Sequence, residues 1–376
     1  MKVVIVNCFD TYEDRIDMVY NFFNNRGDNV KVVQSNFRHF NKVKRIDTKK
    51  DFIFVDSKPY YKNISIDRLV SHYIFAKKAF EDINKLKPDL LYVIVPPNSL
   101  ARFSSRYKKN NSKVKLIFDI IDLWPETMPV RRLKKFPLFS FWKLMRDSSL
   151  KHANFVITEC DLYRDVLAKQ LKNIKSDTIY LAKNKFEIYN SEQFNNEEIH
   201  LCYLGSINNL IDISMIKKLI SIINSIKPVT FHIIGDGESR DVLIDSIKQT
   251  NALVKYYGKI YDFKMKKEIF DRCQFGINIM KDTVCVGLTM KSIDYFQGSL
   301  PIINNIQGDT YRIVNDFGIG INVNGENLEK MAMQIATLDK IRLMENRKNT
   351  IKAFDSLFSE NAFQTKFAKV IKEVVS

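Results

Sequence analysis

Acidic charge is in short supply in this sequence: 43 aspartates and glutamates stand against 59 lysines and arginines, a formal net charge of +16. That balance excludes an acidic, solvating chain and points to anionic partners: nucleic acid, a lipid surface or phosphorylated small molecules. Lysine is abundant together with asparagine and isoleucine, a pattern that coding bias also produces. Cysteine is scarce. Cys8, Cys160, Cys202, Cys273 and Cys285 are scattered, odd in number and form no CxxC. Their spacing argues against a disulfide framework and a zinc site, and fits a reducing compartment. No apolar run reaches the length that spans a bilayer, and the opening MKVVIVNCFD turns polar too soon for a secretory signal. A cytoplasmic protein is therefore expected. No GxGxxG follows the first strand candidate and there is no GxxxxGK[ST], so neither a dinucleotide fingerprint nor a P-loop is present. No Asp-x-Asp stands at a strand end to hold a divalent cation, so no metal is expected and no cofactor. The basic residues accompany no groove-reading or base-stacking module, so nucleic acid is not an expected partner.

What the sequence does have is strand–helix alternation. Hydrophobic residues at 45% and aromatics at 12% suffice for packed cores, and 376 residues exceed what a single core usually organises. Short β-branched runs at 2–7, 30–33, 52–55, 90–95, 115–118, 154–157 and 178–181 read as strands. Amphipathic segments lie between them, clearest at 15–26, 66–85 and 162–171. Residues 183–198 are polar, Asn-rich and without apolar period, which reads as a linker. A second series follows, with strands expected at 201–204, 230–234, 254–257, 275–279 and 301–304. The pattern predicts parallel sheets covered on both faces. The expected organisation is an α/β chain with an N-terminal Rossmann-like domain over 1–183, a linker over 184–198 and a second Rossmann-like domain over 199–355. A last helix over 356–376 has apolar positions Phe363, Phe367, Val370 and Val374, which need a surface to cover.

In doubly wound sheets, ligands sit beyond the carboxyl ends of the strands. Four such ends in the second series carry glycine: Gly205-Ser206, Gly235-Asp236-Gly237, Gly258-Lys259-Ile260, and a loop ending in Gly287-Leu288-Thr289-Met290-Lys291. One glycine there signals only a turn. Four on one rim, in a chain with 12 glycines, predict a ligand cleft. Lys291 and Asp294, three residues apart, could be a solvated i,i+3 ion pair or two ligand contacts.

These segments resemble retaining GT-B glycosyltransferases of the family-four type. HIIGDGESRDVL is similar to that family's strand-Gly-Asp-Gly-Pro-helix segment, with Glu238 where proline is common. VKYYGKI resembles the strand and turn that border the nucleobase. TMKSIDYFQGSLPIIN resembles the Ser-Lys-x-x-Glu-Tyr…Gly-x-Pro pattern, with Lys291 on the lysine, Asp294 on the second glutamate and Pro301 on the proline. LIFDIIDLWPETMP is similar to an Asp-Leu-Trp-Pro segment of some bacterial polysaccharide transferases. There are departures. The usual Arg and Lys after the first carboxyl-domain strand are replaced by Gly205-Ser206-Ile207-Asn208-Asn209. Val286 stands at the first glutamate, and Asn7-Cys8-Phe9-Asp10 replaces the glycine-rich loop.

The resemblance implies two parallel-sheet domains facing across a cleft, with the C-terminal helix returning to the first. It implies a metal-independent transfer of sugar from a nucleotide donor, UDP-linked, to a lipid-linked glycan in capsule, exopolysaccharide or related synthesis. A nucleotide-sugar-binding partner without turnover and a GT-B sugar-nucleotide epimerase are alternatives. Diphosphate would sit on the helix start at Thr289–Lys291 with Lys291 as a point charge, and Asp294 would accept the ribose hydroxyls. Asp122 is the expected acid of the first domain, either at acceptor hydroxyls or only closing a turn before Pro125. Asn7 is grouped with it. The stretch 129–151, with Arg131, Arg132, Lys134, Lys135 and Trp142, is basic and aromatic together. It reads as a contact with an anionic membrane surface or as an ordinary helix with a solvated face. His72, His152, His200 and His232 read as structural, and His39 carries no signal.

Overall fold

The run KVVIVN becomes the middle of a sheet because Val3, Val4, Ile5 and Val6 are completely buried; a strand covered on both faces needs unbroken apolar sequence, not alternation. In the computed structural model, which describes residues 1–63, 65–128, 137–186, 197–283 and 285–376, the chain divides into two units. One is Met1–Leu181 with Phe363–Ser376, the other Ala182–Ala362.

The first unit contains β1 (Lys2–Asn7), β2 (Asn29–Ser35), a hairpin of β3 (Phe37–Arg38) and β4 (Val43–Lys44), β5 (Phe52–Val55), β6 (Leu90–Val95), β7 (Lys115–Ile120), β8 (Phe155–Thr158) and β9 (Ser176–Thr178). Apart from the hairpin they form one sheet in the order β5-β2-β1-β6-β7-β8-β9, parallel throughout. Helices Glu13–Asn25, Ile66–Leu86 and Asn98–Asn110 make crossovers. The C-terminal helix Glu360–Val375 buries Phe363, Phe367, Val370, Ile371 and Val374. Phe367 packs on Phe22, Phe23 and Tyr92 at centroid distances of 4.9, 5.7 and 5.7 Å. The return of this helix to the first unit, implied by the resemblance, is observed. Beneath it, buried Arg15 grips Asp119 through Nε (2.6 Å) and Nη2 (2.9 Å).

The second unit contains β10 (Ile199–Leu204), β11 (Val229–Ile234), β12 (Leu253–Gly258), β13 (Phe275–Asn278), β14 (Ile302–Asn304) and β15 (Gly320–Asn322). Their order is β12-β11-β10-β13-β14-β15, again parallel. The order reverses between β10 and β13, the point at which such sheets open a crevice.

Several expectations shift. The strand expected at 178–181 lies at Ser176–Thr178; Tyr180 leaves the sheet and its carbonyl accepts from Arg15 Nη1. The helix expected at 162–171 is two, Asp161–Val166 and Ala168–Leu171, separated at Leu167. β3, β4 and β15 had no recognised signal. Most of the expected linker, 187–196, lies outside the described residues; just before it, the Lys183 N–H donates to Phe358 O at 2.8 Å.

Candidate active site

The carboxyl rim of the second sheet is held by backbone packed on backbone. Gly205 leaves β10 at φ +118° and Gly235 leaves β11 at φ +144°. The Gly205 N–H donates to Ile234 O at 2.9 Å and the Gly235 N–H to Gly258 O at 2.7 Å. A Cβ on residue 235 would lie 1.9 Å from Gly205 O, so only glycine fits. Two adjoining cavities of about 410 and 180 Å³ open here and share Leu204, Gly205, Ser206, Ile260 and Tyr261. Lys266, Thr289, Met290, Lys291 and Asp294 close the larger; Gly235, Asp236 and Lys259 close the smaller. Gly237, Gly258, Gly287 and Leu288 shape the supporting loops without lining either cavity.

Helix Met290–Gln297 is fixed from three sides. Thr289 caps it, its Oγ1 accepting from Ser292 N at 3.2 Å and donating to Asn278 Oδ1 at 3.2 Å. Asn278 begins a ladder of amides: its Nδ2 donates to Asn304 Oδ1 (2.8 Å), and Asn304 Nδ2 donates to Asn322 Oδ1 (2.8 Å). Tyr295, fully buried, reaches the switch point; its hydroxyl accepts from Leu204 N at 2.7 Å and donates to Cys202 O at 3.1 Å. Thr310 holds Gly287 O through both N–H (2.8 Å) and Oγ1 (2.7 Å).

Of the two readings of Lys291 and Asp294, the i,i+3 ion pair is not formed. Asp294 is held by Lys183 and by Lys266 at 3.7 Å. Lys291 is half-buried, with Nζ 4.9 Å from the centroid of the Tyr203 ring and no carboxylate partner among the described residues. Burial lowers its pKa to about 8. Burial also lowers Lys266, against the opposing pull of Asp294. The larger cavity thus has two ammonium groups in its wall and a single carboxylate already held by lysines, an arrangement suited to an anion. Sequence reasoning missed Lys183 and Lys266. They lie 111 and 28 positions before Asp294, and only the fold joins them.

On the first unit, Asp122 is half-buried and accepts from Trp124 Nε1 and Thr127 Oγ1, both at 2.5 Å. It closes the turn around Pro125. Burial pushes its carboxyl above the ordinary carboxylate range, against those two hydrogen bonds. Asn7 is buried, with its amide spent on the Phe9 backbone at 2.7 and 3.1 Å, so it braces the loop. Trp142, on helix Pro137–Leu150, packs against Trp124 at 5.7 Å. Arg131, Arg132, Lys134 and Lys135 lie outside the described residues. His39 has a partner after all: its Nδ1 lies 2.6 Å from the Tyr60 hydroxyl. His200, His232 and Tyr257 form a chain of side-chain hydrogen bonds across the strands.

No protein-family model matches the chain, and no curated protein matches it in sequence. Solved structures do match it. Sucrose-phosphate synthase from Thermosynechococcus elongatus superposes with a TM-score of 0.72 at 11% identity, over 100% of this chain and 99% of that one. HepE from Anabaena, solved in complex with UDP, gives 0.69 at 12% identity over 99% and 100%. WaaG, a glycosyltransferase involved in lipopolysaccharide biosynthesis, gives 0.65 at 12% over 98% and 99%. Matched end to end by these structures, two doubly wound parallel sheets with a returning C-terminal helix give this chain the GT-B fold.

Proposed function

We propose that the chain is a glycosyltransferase that moves a sugar from a UDP-linked donor to a lipid-linked glycan in cell-surface polysaccharide synthesis, with retention of configuration. The observation that carries this reading is Lys291: a half-buried ammonium without a carboxylate, one residue into a capped helix, in a cavity at the switch point. A departing diphosphate is the anion such a place suits. Lys291 and Lys266 supply the charge that a metal supplies elsewhere. Asp294 keeps lone pairs for ribose hydroxyls while its lysines orient it. Asp122 takes the acceptor hydroxyl, its raised pKa bringing it nearer the working range of a general base. That HepE was solved with UDP and that WaaG acts in lipopolysaccharide biosynthesis support the choice of donor and pathway.

Thermal shift with UDP, ADP and GDP, followed by turnover of UDP-sugars, tests this. UDP is expected to stabilise most. Asp122→Asn is expected to lower transfer roughly 10²-fold or more while leaving the UDP shift in place. No stabilisation by any nucleotide would sink the reading. Stabilisation without turnover would favour a nucleotide-sugar-binding partner, a reading supported by the loop Gly205–Asn209, which lacks Arg and Lys. An isomerised sugar nucleotide as product would make it an epimerase.

We also propose that the protein works at the anionic inner face of a membrane through residues 129–151. No helix among the described residues is long and apolar enough to cross a membrane. Phe141 and Leu144 stand 57% and 61% exposed on helix Pro137–Leu150, as surface anchoring requires. Replacing Arg131, Arg132, Lys134 and Lys135 by glutamine is expected to weaken sedimentation with anionic vesicles by on the order of 1 kcal/mol per cation at low salt. Unchanged sedimentation would leave the stretch an ordinary surface.

A further inference from the structure

We propose that the first unit carries a separate anion site, centred on Arg68, that takes a phosphate or diphosphate group. Among the described residues of this unit three arginines are buried: Arg15, Arg146 and Arg68. Arg15 grips Asp119, and Arg146 grips Glu126 and Asp147. Arg68, 9% exposed, pairs with no carboxylate among the described residues. Its Nη1 donates to Asn63 O at 2.7 Å, and its Nε is buried without a partner. A buried cation without a paired carboxylate is unfavourable, which leaves room for a counter-ion from outside the chain.

The surroundings support that reading. The guanidinium carbon lies 4.3 Å from the Trp124 ring centroid, 5.6 Å from Phe9 and 5.8 Å from Tyr60. Stacking of this kind holds the plane of the fork, and with Nη1 on Asn63 O and Nε buried, Nη2 is the group left for an oxygen acceptor. Phe9 follows β1, Tyr60 follows β5 and Trp124 follows β7, so the cage stands at the carboxyl rim of the first sheet, where ligands of this architecture bind. A second cation shares it: Lys42 Nζ sits 4.8 Å from the Tyr60 centroid and donates to Asn63 Oδ1 at 2.7 Å. The nearby carboxylates Asp10 and Asp122 form no ion pair with Arg68 and take neutral donors instead. Asp10 Oδ1 accepts from the His39 N–H, and both Asp122 oxygens accept from Trp124 and Thr127. Assigning the anion to the diphosphate of a lipid-linked acceptor rests on the proposed function; the site itself rests on the geometry.

The chain has two tryptophans, and both Trp124 and Trp142 belong to the first unit, so their emission reports on this site and not on the cavity of the second. Inorganic pyrophosphate is expected to change that emission saturably. Lys291→Ala should retain the response, Arg68→Lys should weaken it several-fold, and Arg68→Gln should weaken it tenfold or more. Should the buried replacements unfold the unit, hydrogen exchange of the wild-type protein decides. Pyrophosphate should protect 65–72 and 122–128. No emission change, equal affinity in Arg68→Gln, or protection confined to the second unit would each overturn the proposal. Farnesyl diphosphate in micelles is the further arm: binding tighter than pyrophosphate assigns the site to a lipid-linked diphosphate, and equal binding to a free one. Stabilisation by UDP, measured separately, reports on the donor reading alone.

Discussion

Replacing Lys291 by methionine is expected to stabilise the ligand-free protein at neutral pH and to lower sugar transfer by roughly 10²-fold or more, the size of effect seen when one preorganised charge-stabilising group is lost. The two effects share a cause. The folded protein holds this ammonium at a pKa of about 8, below the ordinary 10.5, because burial disfavours its charge. Between those values the unfolded chain binds more protons, so wild-type stability should rise with pH from about 8 to 10.5, and below 8 the full penalty is present. Methionine removes it. The gain should be only about 1 kcal/mol, because the side chain is not fully buried and water screens it. A diphosphate reverses the balance by drawing the proton back. UDP affinity of the wild type should therefore fall towards tenfold per pH unit above about 8, while Lys291→Met binds weakly with a flat profile. Calorimetric titration from pH 7 to 10, with melting curves for both proteins, checks this. A wild-type affinity indifferent to pH across 8, or a variant less stable at pH 7, would remove Lys291 from the diphosphate.

Gly235→Ala is expected to cost more stability than any surface change, on the order of 4 kcal/mol or above, or to prevent the second unit from folding. The new methyl would meet Gly205 O at 1.9 Å, with φ at +144°. The atom it meets is backbone and a methyl has no rotamer to turn, so nothing can swing aside. Gly258→Ala is the control: φ is +70° and nothing lies within 4 Å, so only the conformational cost of about 1 kcal/mol applies. Chemical denaturation of the two variants, followed by UDP binding, measures the contrast. Equal losses would mean the two loops can separate and the rim is not fixed as described.

Much of the fold was legible because buried parallel strands write themselves as unbroken apolar runs. KVVIVN, FIFV and LLYVIV coincide with strands in their full extent. β15 was not legible, since Gly-Ile-Asn carries too few residues for any pattern and is a strand only because β14 lies beside it. The strand expected at 178–181 shows the opposite failure: Ile179, Tyr180 and Leu181 are buried, but by packing outside the sheet. In the site, the glycines and the capped helix start stood out locally, as Thr289 with Ser292 does. The electrostatics did not. Spacing left open whether Lys291 and Asp294 pair with each other or both meet a ligand; Asp294 is claimed by Lys183 and Lys266 from distant segments, and that is what leaves Lys291 without a carboxylate. Arg68 was silent for the same reason: its meaning lies in the carboxylate it lacks.

The amide ladder has a bearing on how the sheet finds its alignment. β14 and β15 are three residues each, short enough to slide past their neighbours at little loss of apolar contact. Asn278, Asn304 and Asn322 occupy directly opposed positions in adjacent strands, and each hands an N–H to the next oxygen in one direction. A slip by one residue would strand buried donors and acceptors at about 1–3 kcal/mol apiece. The ladder therefore works as a vernier: it reads strand alignment to a single residue, in a part of the sheet where oily side chains alone would accept several settings.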